Sequence, residues 1–153
     1  MKVSDILRFK GTTLFTATPN TSLTAAVQIM SEKDIGSLVV MERSTLVGIL
    51  TFREVINTLA KGHGNVGQAT VGSVMEKSPM TCTSEMDLDE ARRIMLDQHM
   101  RYLPVLDGDT LNGVISFYDV AKAVVEAQGF ENNMLKAYIR DWPVAEESVT
   151  PAK

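Results

Sequence analysis

The chain has 153 residues, of which 44% are hydrophobic and 22% charged, with 15 basic and 19 acidic side chains for a formal net charge of −4. That is a globular composition, and the length suits one compact domain or two small units sharing a core, because a unit of about 60 residues alone buries only about 60% of its unfolded surface. Acidity without a lysine or arginine run excludes a nucleic-acid groove as the main surface. The single Cys82 excludes a disulfide framework and a CxxC metal site, and the lack of an 18-residue apolar run or a signal-type opening argues for a cytoplasmic protein that does not cross a membrane.

In chain order, a VSDIL segment (residues 3–7) precedes a short extended piece from Leu14 to Ala17. Leu23, Ala26, Val27, Ile29 and Met30 then recur at helical spacing. Two apolar strands follow, SLVVM (37–41) and TLVGIL (45–50), joined by a turn at Glu42-Arg43-Ser44, and a second helix begins after Leu50. Three glycines within residues 62–67 stop that helix and form a pliant linker. The order then repeats: VGSVM (71–75), an extended piece from Met80 to Cys82, and a helix carrying Leu88, Ala91, Ile94 and Met95. Asp87 with Glu90 three residues on is a helix-start signature for it. Strands YLPVL (102–106) and TLNGVI (110–115) flank Asp107-Gly108-Asp109, with a further helix after Ile115. Past Gly129, Met134, Leu135, Tyr138 and Ile139 mark an additional amphipathic helix, in a region where Phe130 and Trp142 are candidate anchors, and the segment from Pro143 onward has the composition of a flexible tail.

The repetition is internal homology. Shifting the chain by 65 residues lays Thr16–Val55 on Thr81–Val120 without a gap. Identities include Leu23/Leu88, Ala26/Ala91, Met30/Met95, Leu38/Leu103, Val40/Val105, Gly48/Gly113, Phe52/Phe117 and Val55/Val120, and VSDIL matches VGSVM after a three-residue shift. Near-continuous apolar strands between helical segments predict sheets buried by helices, an α/β (α+β) fold of two βαββα-type repeats. The predicted organisation is repeat 1 at 3–61, a linker at 62–70, repeat 2 at 71–128, a C-terminal helix at 129–142 and a tail at 143–153.

Chemistry concentrates where strand passes into helix. GILTFRE (48–54) and GVISFYD (113–119) share a Gly, a Ser or Thr, a Phe and an acid at fixed spacing. A hydroxyl followed three residues later by a carboxylate is a helix-capping arrangement. The same geometry also suits a ligand: helix N–H groups and the hydroxyl can seat phosphate oxygens, and the carboxylate can accept both hydroxyls of a ribose. Both readings stand at this point, with Asp119, the shorter and stiffer acid, leaning towards ligand binding more than Glu54.

The paired repeats, the DIGSLVV and HMRYLPV strands and the two junctions resemble a pair of cystathionine β-synthase (CBS) domains, a Bateman module, over roughly residues 3 to 128, and the ending EAQGFENNMLKAYI is similar to that of stand-alone bacterial CBS-pair proteins. The resemblance implies two repeats about a pseudo-twofold axis with two potential sites in the cleft between them, binding AMP, ADP, ATP or NAD. Its ribose-binding acids fall on Asp119 and Glu54 and its hydroxyls on Ser116 and Thr51. Glu54 stands where an aspartate is usual, a side chain longer by about 1.5 Å. The phosphate-facing positions are Arg53 and Tyr118, and the cation before the second repeat's middle strand is Arg101, with Gly36 as its first-repeat counterpart. Adenine is expected against Ile35 and Met100, with backbone contacts around Thr13 and Ser78.

A mononucleotide has about 23 heavy atoms, and roughly 0.3 kcal/mol per atom gives a micromolar-range Kd, suited to sensing a cellular pool. The reading is a non-enzymatic regulatory module, expected as a homodimer, that changes shape on binding nucleotide and acts on a separate partner protein. The alternatives are a ligand-free interaction module in which both junctions only cap helices, and an S-adenosylmethionine binder that needs neither Arg53 nor Arg101. No P-loop, metal-ligand cluster or paired carboxylate supports an enzyme. His99 is open to a solvated role or a phosphate contact. His63 reads as linker, Cys82 as core, and the nine methionines as adaptable filler.

Overall fold

The computed structural model describes residues 1–11 and 13–127. The expected C-terminal helix, with Phe130 and Trp142, and the tail lie outside them.

The elements are α1 (Val3–Lys10), β1 (Thr16–Ala17), α2 (Leu23–Lys33), β2 (Ser37–Glu42), β3 (Thr45–Thr51), α3 (Phe52–Lys61), α4 (Val71–Val74), β4 (Glu76–Lys77), α5 (Leu88–Asp97), β5 (Tyr102–Asp107) and β6 (Thr110–Ser116). Residues 117–127 then continue as helix, labelled α6. The first sheet has the order β1-β2-β3-β4, with β1 parallel to β2 and the other pairs antiparallel. The second comprises β5 and β6, and Cys82 bridges in parallel to Val105 as Ala17 pairs with Val40. Even the register shifts correspond, at Val40/Met41 and Val105/Leu106. The extended pieces expected at 14–17 and 80–82 thus shrink to two paired residues and one bridge.

Each helix packs its apolar stripe on a sheet whose strands alternate little, since both strand faces carry Leu, Ile or Val. Leu23, Ala26, Leu38, Val40 and Leu50 are wholly buried in the first core, and Ala91, Leu103, Val105, Ile115 and Val120 in the second. Burial of such a side chain contributes roughly 1.5–3 kcal/mol, which is what holds these short strands in place.

The leading helices are exchanged between repeats. Val3 and Ile6 of α1 sit in the core of repeat 2, whereas Val71 of α4 sits in the core of repeat 1. Backbone bonds repeat the exchange in register. Val3 N–H donates to Met86 and Ser4 N–H to Ser84, and correspondingly Val71 N–H donates to Thr21 and Gly72 N–H to Pro19. A cross-over of this kind gives the pseudo-twofold relation directly and ties the halves into one body.

The two α2-type helices start differently. Ser22 caps α2, accepting from Ala25 N–H, but Asp87, which starts α5, makes no side-chain cap bond. The expected Asp87–Glu90 device is therefore not formed. In both repeats the first helical N–H is taken by a carbonyl distant in sequence, Leu23 by Ala69 and Leu88 by Met1, so the two starts differ only in the side-chain cap.

Candidate functional site

Both junctions fold as capping arrangements. At the start of α3, Glu54 Oε1 accepts from Thr51 N–H and Thr51 Oγ1, each at 2.7 Å, and Thr51 Oγ1 accepts from Arg53 N–H at 3.2 Å. At the start of α6, Asp119 Oδ2 accepts from Ser116 N–H at 2.8 Å, and Ser116 Oγ accepts from Asp119 N–H at 3.0 Å. The first helical N–H of each also has a partner: Phe52 donates to the Gly36 carbonyl and Phe117 to the Arg101 carbonyl. At α6 the Phe117 and Asp119 N–H groups are thus engaged, and at α3 those of Phe52 and Arg53. What each presents is a fixed carboxylate with one outward edge.

Their surroundings differ. A cavity of about 860 Å³ opens between the repeats and is lined by Thr13, Ile35, Met100, Arg101, Ser116 and Tyr118 among the expected residues, along with Leu7, Lys10, Phe15, Gly36, His99, Tyr102 and Phe117. That volume falls within the range of small-molecule sites. Asp119 is not itself a lining residue but sits beside them, bonded to Ser116 N–H and, with its side chain 17% exposed, taking the Lys10 ammonium on Oδ2 at 2.8 Å. Lys10 Nζ also donates to the Val114 carbonyl at 2.9 Å. No ion pair involves Arg101 among the described residues, so its charge is available at the wall.

Thr51, Arg53, Glu54 and Ser78 do not line this cavity. Arg53 lies 3.5 Å from Glu54 and 3.8 Å from Glu76, so its charge is engaged along its own sheet edge. Of the eleven sequence-derived residues, six line the cavity, Asp119 sits beside it, and Thr51, Arg53, Glu54 and Ser78 do not line it. Gly36 explains part of the difference. It stands where repeat 2 has Arg101, and a Cβ there would lie 1.8 Å from the Tyr102 hydroxyl and 2.8 Å from Phe52 Cε2. The Tyr102 ring fills the space that a first-repeat cation would need. Burial pushes the Tyr102 hydroxyl above its ordinary pKa, opposed by Arg101 and reinforced by Asp119, so it remains a neutral donor.

Lys10 is the site residue that sequence reasoning missed. Basic residues in a last helical turn, here Arg8 and Lys10, are common complements to the helix dipole, and only the fold brings Lys10 to a carboxylate 109 positions away. Its one local signal was Gly11, which ends α1 with φ 88°. Cys82 belongs to the core, where burial and then Asp107 raise its thiol to about 12, far from thiolate chemistry at neutral pH. The described residues contain no group of three or more metal-ligating side chains placed to hold an ion and no helix long and apolar enough to cross a membrane.

Two exchanged α/β repeats enclosing a cleft at one strand–helix junction define a tandem-repeat binding class. The chain belongs to the CBS-domain family, whose model matches residues 3–61 and 71–126. It is 31% identical over 111 residues to the CBS domain-containing protein YhcV of Bacillus subtilis, covering 72% of this chain and 78% of that one. Among solved structures, a CBS-domain protein of Burkholderia ambifaria superposes with a TM-score of 0.78 at 31% identity, over 84% of this chain and 96% of the other. CBSX2 of Arabidopsis thaliana, solved in complex with AMP, gives a TM-score of 0.67 at 26% identity, over 82% and 97%.

Proposed function

We propose that this protein is a non-catalytic regulatory module that binds an adenine nucleotide in the cleft at Asp119. In this reading Asp119 accepts the ribose hydroxyls, Ser116 and Arg101 hold phosphate with Tyr118 alongside, and adenine lies against Ile35 and Met100 near the Thr13 backbone. The observation that carries it is the 860 Å³ cavity, whose walls bring a hydroxyl, cations and apolar side chains together beside the Asp119 carboxylate that the lining residues Ser116 and Lys10 hold. AMP bound to the CBSX2 relative supports an adenosine-type ligand over an empty interaction module. The junction at Thr51, Arg53 and Glu54, with Ser78 just past β4, is the secondary site of this proposal, because its acid and arginine engage each other and neither Thr51 nor Arg53 lines the cavity as Ser116 and Arg101 do.

Since the cleft walls come from both repeats, a ligand that prefers one inter-repeat angle shifts the population towards it and alters the surface offered to a separate partner. Exposed Phe52, Ile56, Tyr118 and Val125 on α3 and α6 support self-association as a homodimer, which sedimentation velocity tests. The binding test is thermal denaturation with AMP, ADP, ATP, NAD, S-adenosylmethionine, adenosine and GMP. A ligand at 100 times its Kd adds about 2.7 kcal/mol, or roughly 5–10 °C for a protein of this size. AMP, ADP or ATP is expected to give that shift and GMP none. A melt unmoved by the whole panel favours the interaction module, and a shift with S-adenosylmethionine alone favours that ligand.

A further inference from the structure

The two exchanged helices are of unequal length, and the inequality reaches the cleft. By the repeat alignment, α4 ends at the position of Ile6, whereas α1 continues for one more turn to Lys10. After α4 the chain becomes β4 and pairs with Gly48 and Ile49 at the edge of β3. The matching edge of β6 is Gly113 and Val114, and there the partner is a side chain: Lys10 Nζ takes the Val114 carbonyl and, at 2.8 Å, Asp119 Oδ2. The carboxylate beside the cleft is thus held by a cation from a helix distant in sequence, whereas the cation at Glu54 is its own neighbour Arg53, at 3.5 Å.

We propose that Lys10 is a specificity-determining residue, an internal occupant of the ribose carboxylate that admits adenosine ligands bearing an anionic 5′ group and discriminates against neutral or cationic ones. The inference rests on the proposed role of Asp119 in holding ribose. Ribose hydroxyls that engage both carboxylate oxygens displace the ammonium from Oδ2, leaving it with the Val114 carbonyl and no counter-charge. A phosphate on the neighbouring 5′ carbon supplies that counter-charge, and a lysine, a compact ammonium on a flexible stem, can swing to it. Neutral adenosine returns nothing for the broken pair, and a sulfonium adds a like charge. Arg101 attracts phosphate as well but does not cover Asp119, so Lys10 alone penalises ligands lacking an anion.

The test compares AMP, adenosine and S-adenosylmethionine by isothermal titration calorimetry on the full chain, its Lys10→Met variant and its Lys10→Arg variant. Replacing the ammonium is expected to tighten adenosine and weaken AMP, so that the AMP-to-adenosine affinity ratio falls about ten-fold or more in Lys10→Met, the scale of one charge-assisted hydrogen bond. Lys10→Arg, which keeps the cation, is expected to keep most of the ratio. Tighter adenosine binding itself certifies that Lys10→Met is folded, and a circular dichroism melt provides a second check. A ratio unchanged in Lys10→Met while the parent binds AMP overturns the role of Lys10 and leaves the cleft reading intact. Absence of binding by parent and variants to all three ligands overturns both.

Discussion

Gly36 offers the sharpest test of why the two halves of the cleft differ. A methyl group there would sit 1.8 Å from the Tyr102 hydroxyl oxygen, 2.7 Å from Cζ and 2.8 Å from Phe52 Cε2. Ordinary contact needs about 3.4 Å or more, so the ring must retreat by about 1.5 Å, which a half-buried tyrosine at the start of a strand cannot do by small adjustment. Overpacking of this kind costs typically 1–3 kcal/mol. Gly36→Ala is therefore expected to lower stability by about that amount, and Tm by roughly 2–10 °C. Urea denaturation followed by circular dichroism measures it, and a double-mutant cycle assigns it. Tyr102→Phe removes the nearest atom but leaves Cζ at 2.7 Å, so Gly36→Ala should cost less in that background yet still cost something. In a Tyr102→Ala background the penalty should nearly vanish. If Gly36→Ala stays within about 0.5 kcal/mol of the parent, or costs the same in all three backgrounds, the steric account of the missing first-repeat cation is wrong.

Deleting residues 1–10 removes Val3 and Ile6 from the second core, so hydrogen exchange should accelerate in β5 and β6 more than in β2 and β3, and the opposite pattern would contradict the helix exchange. Cys82 should resist a thiol reagent in the native state and react only on unfolding. Because its folded pKa is raised from 9.0 to about 12, the stability linked to it is complete below about pH 9 and declines as pH rises from there towards 12, a slope that Cys82→Ala should flatten. Asp107 accepts from the Ser84 hydroxyl and N–H and from Asn112, and these bonds, the Ser84 hydroxyl first, hold its carboxyl below the usual range. Its contribution is present above the ordinary carboxylate pKa and is lost as pH falls through the lowered value, so Asp107→Ala should reduce stability at pH 7 and weaken the acid dependence of unfolding. Leu38→Ala and Leu103→Ala, at equivalent wholly buried positions, should each cost about 2–5 kcal/mol in chemical denaturation.

Much of this architecture is written locally. Strands β2, β3, β5 and β6 and the helices after them follow from apolar runs, turns and the Ser/Thr-to-acid spacing, and the 65-residue repeat carries the symmetry. Which core receives α1 and α4 is not local, because Val3 and Val71 are equally apolar against either sheet. Ser116, Arg101, Met100, Ile35, Thr13 and Tyr118, expected from the family resemblance, line the cavity, while Ser78 and the Thr51 junction do not. Lys10 could not be foreseen, because its partners are set by how far one helix runs before the chain turns. The engagement of Arg53 with Glu54 and Glu76 likewise depends on β4, a two-residue strand without a periodic signal of its own.

The most direct measurement is AMP affinity by calorimetry in the parent, Asp119→Asn and Glu54→Gln proteins. Loss of the charged acceptor at the cleft should weaken AMP about 10- to 100-fold in Asp119→Asn, as removing a hydrogen bond to a charged group implies, while Glu54→Gln changes it less than about three-fold. Undiminished AMP binding in Asp119→Asn, or a larger loss in Glu54→Gln, would contradict a ribose site at Asp119.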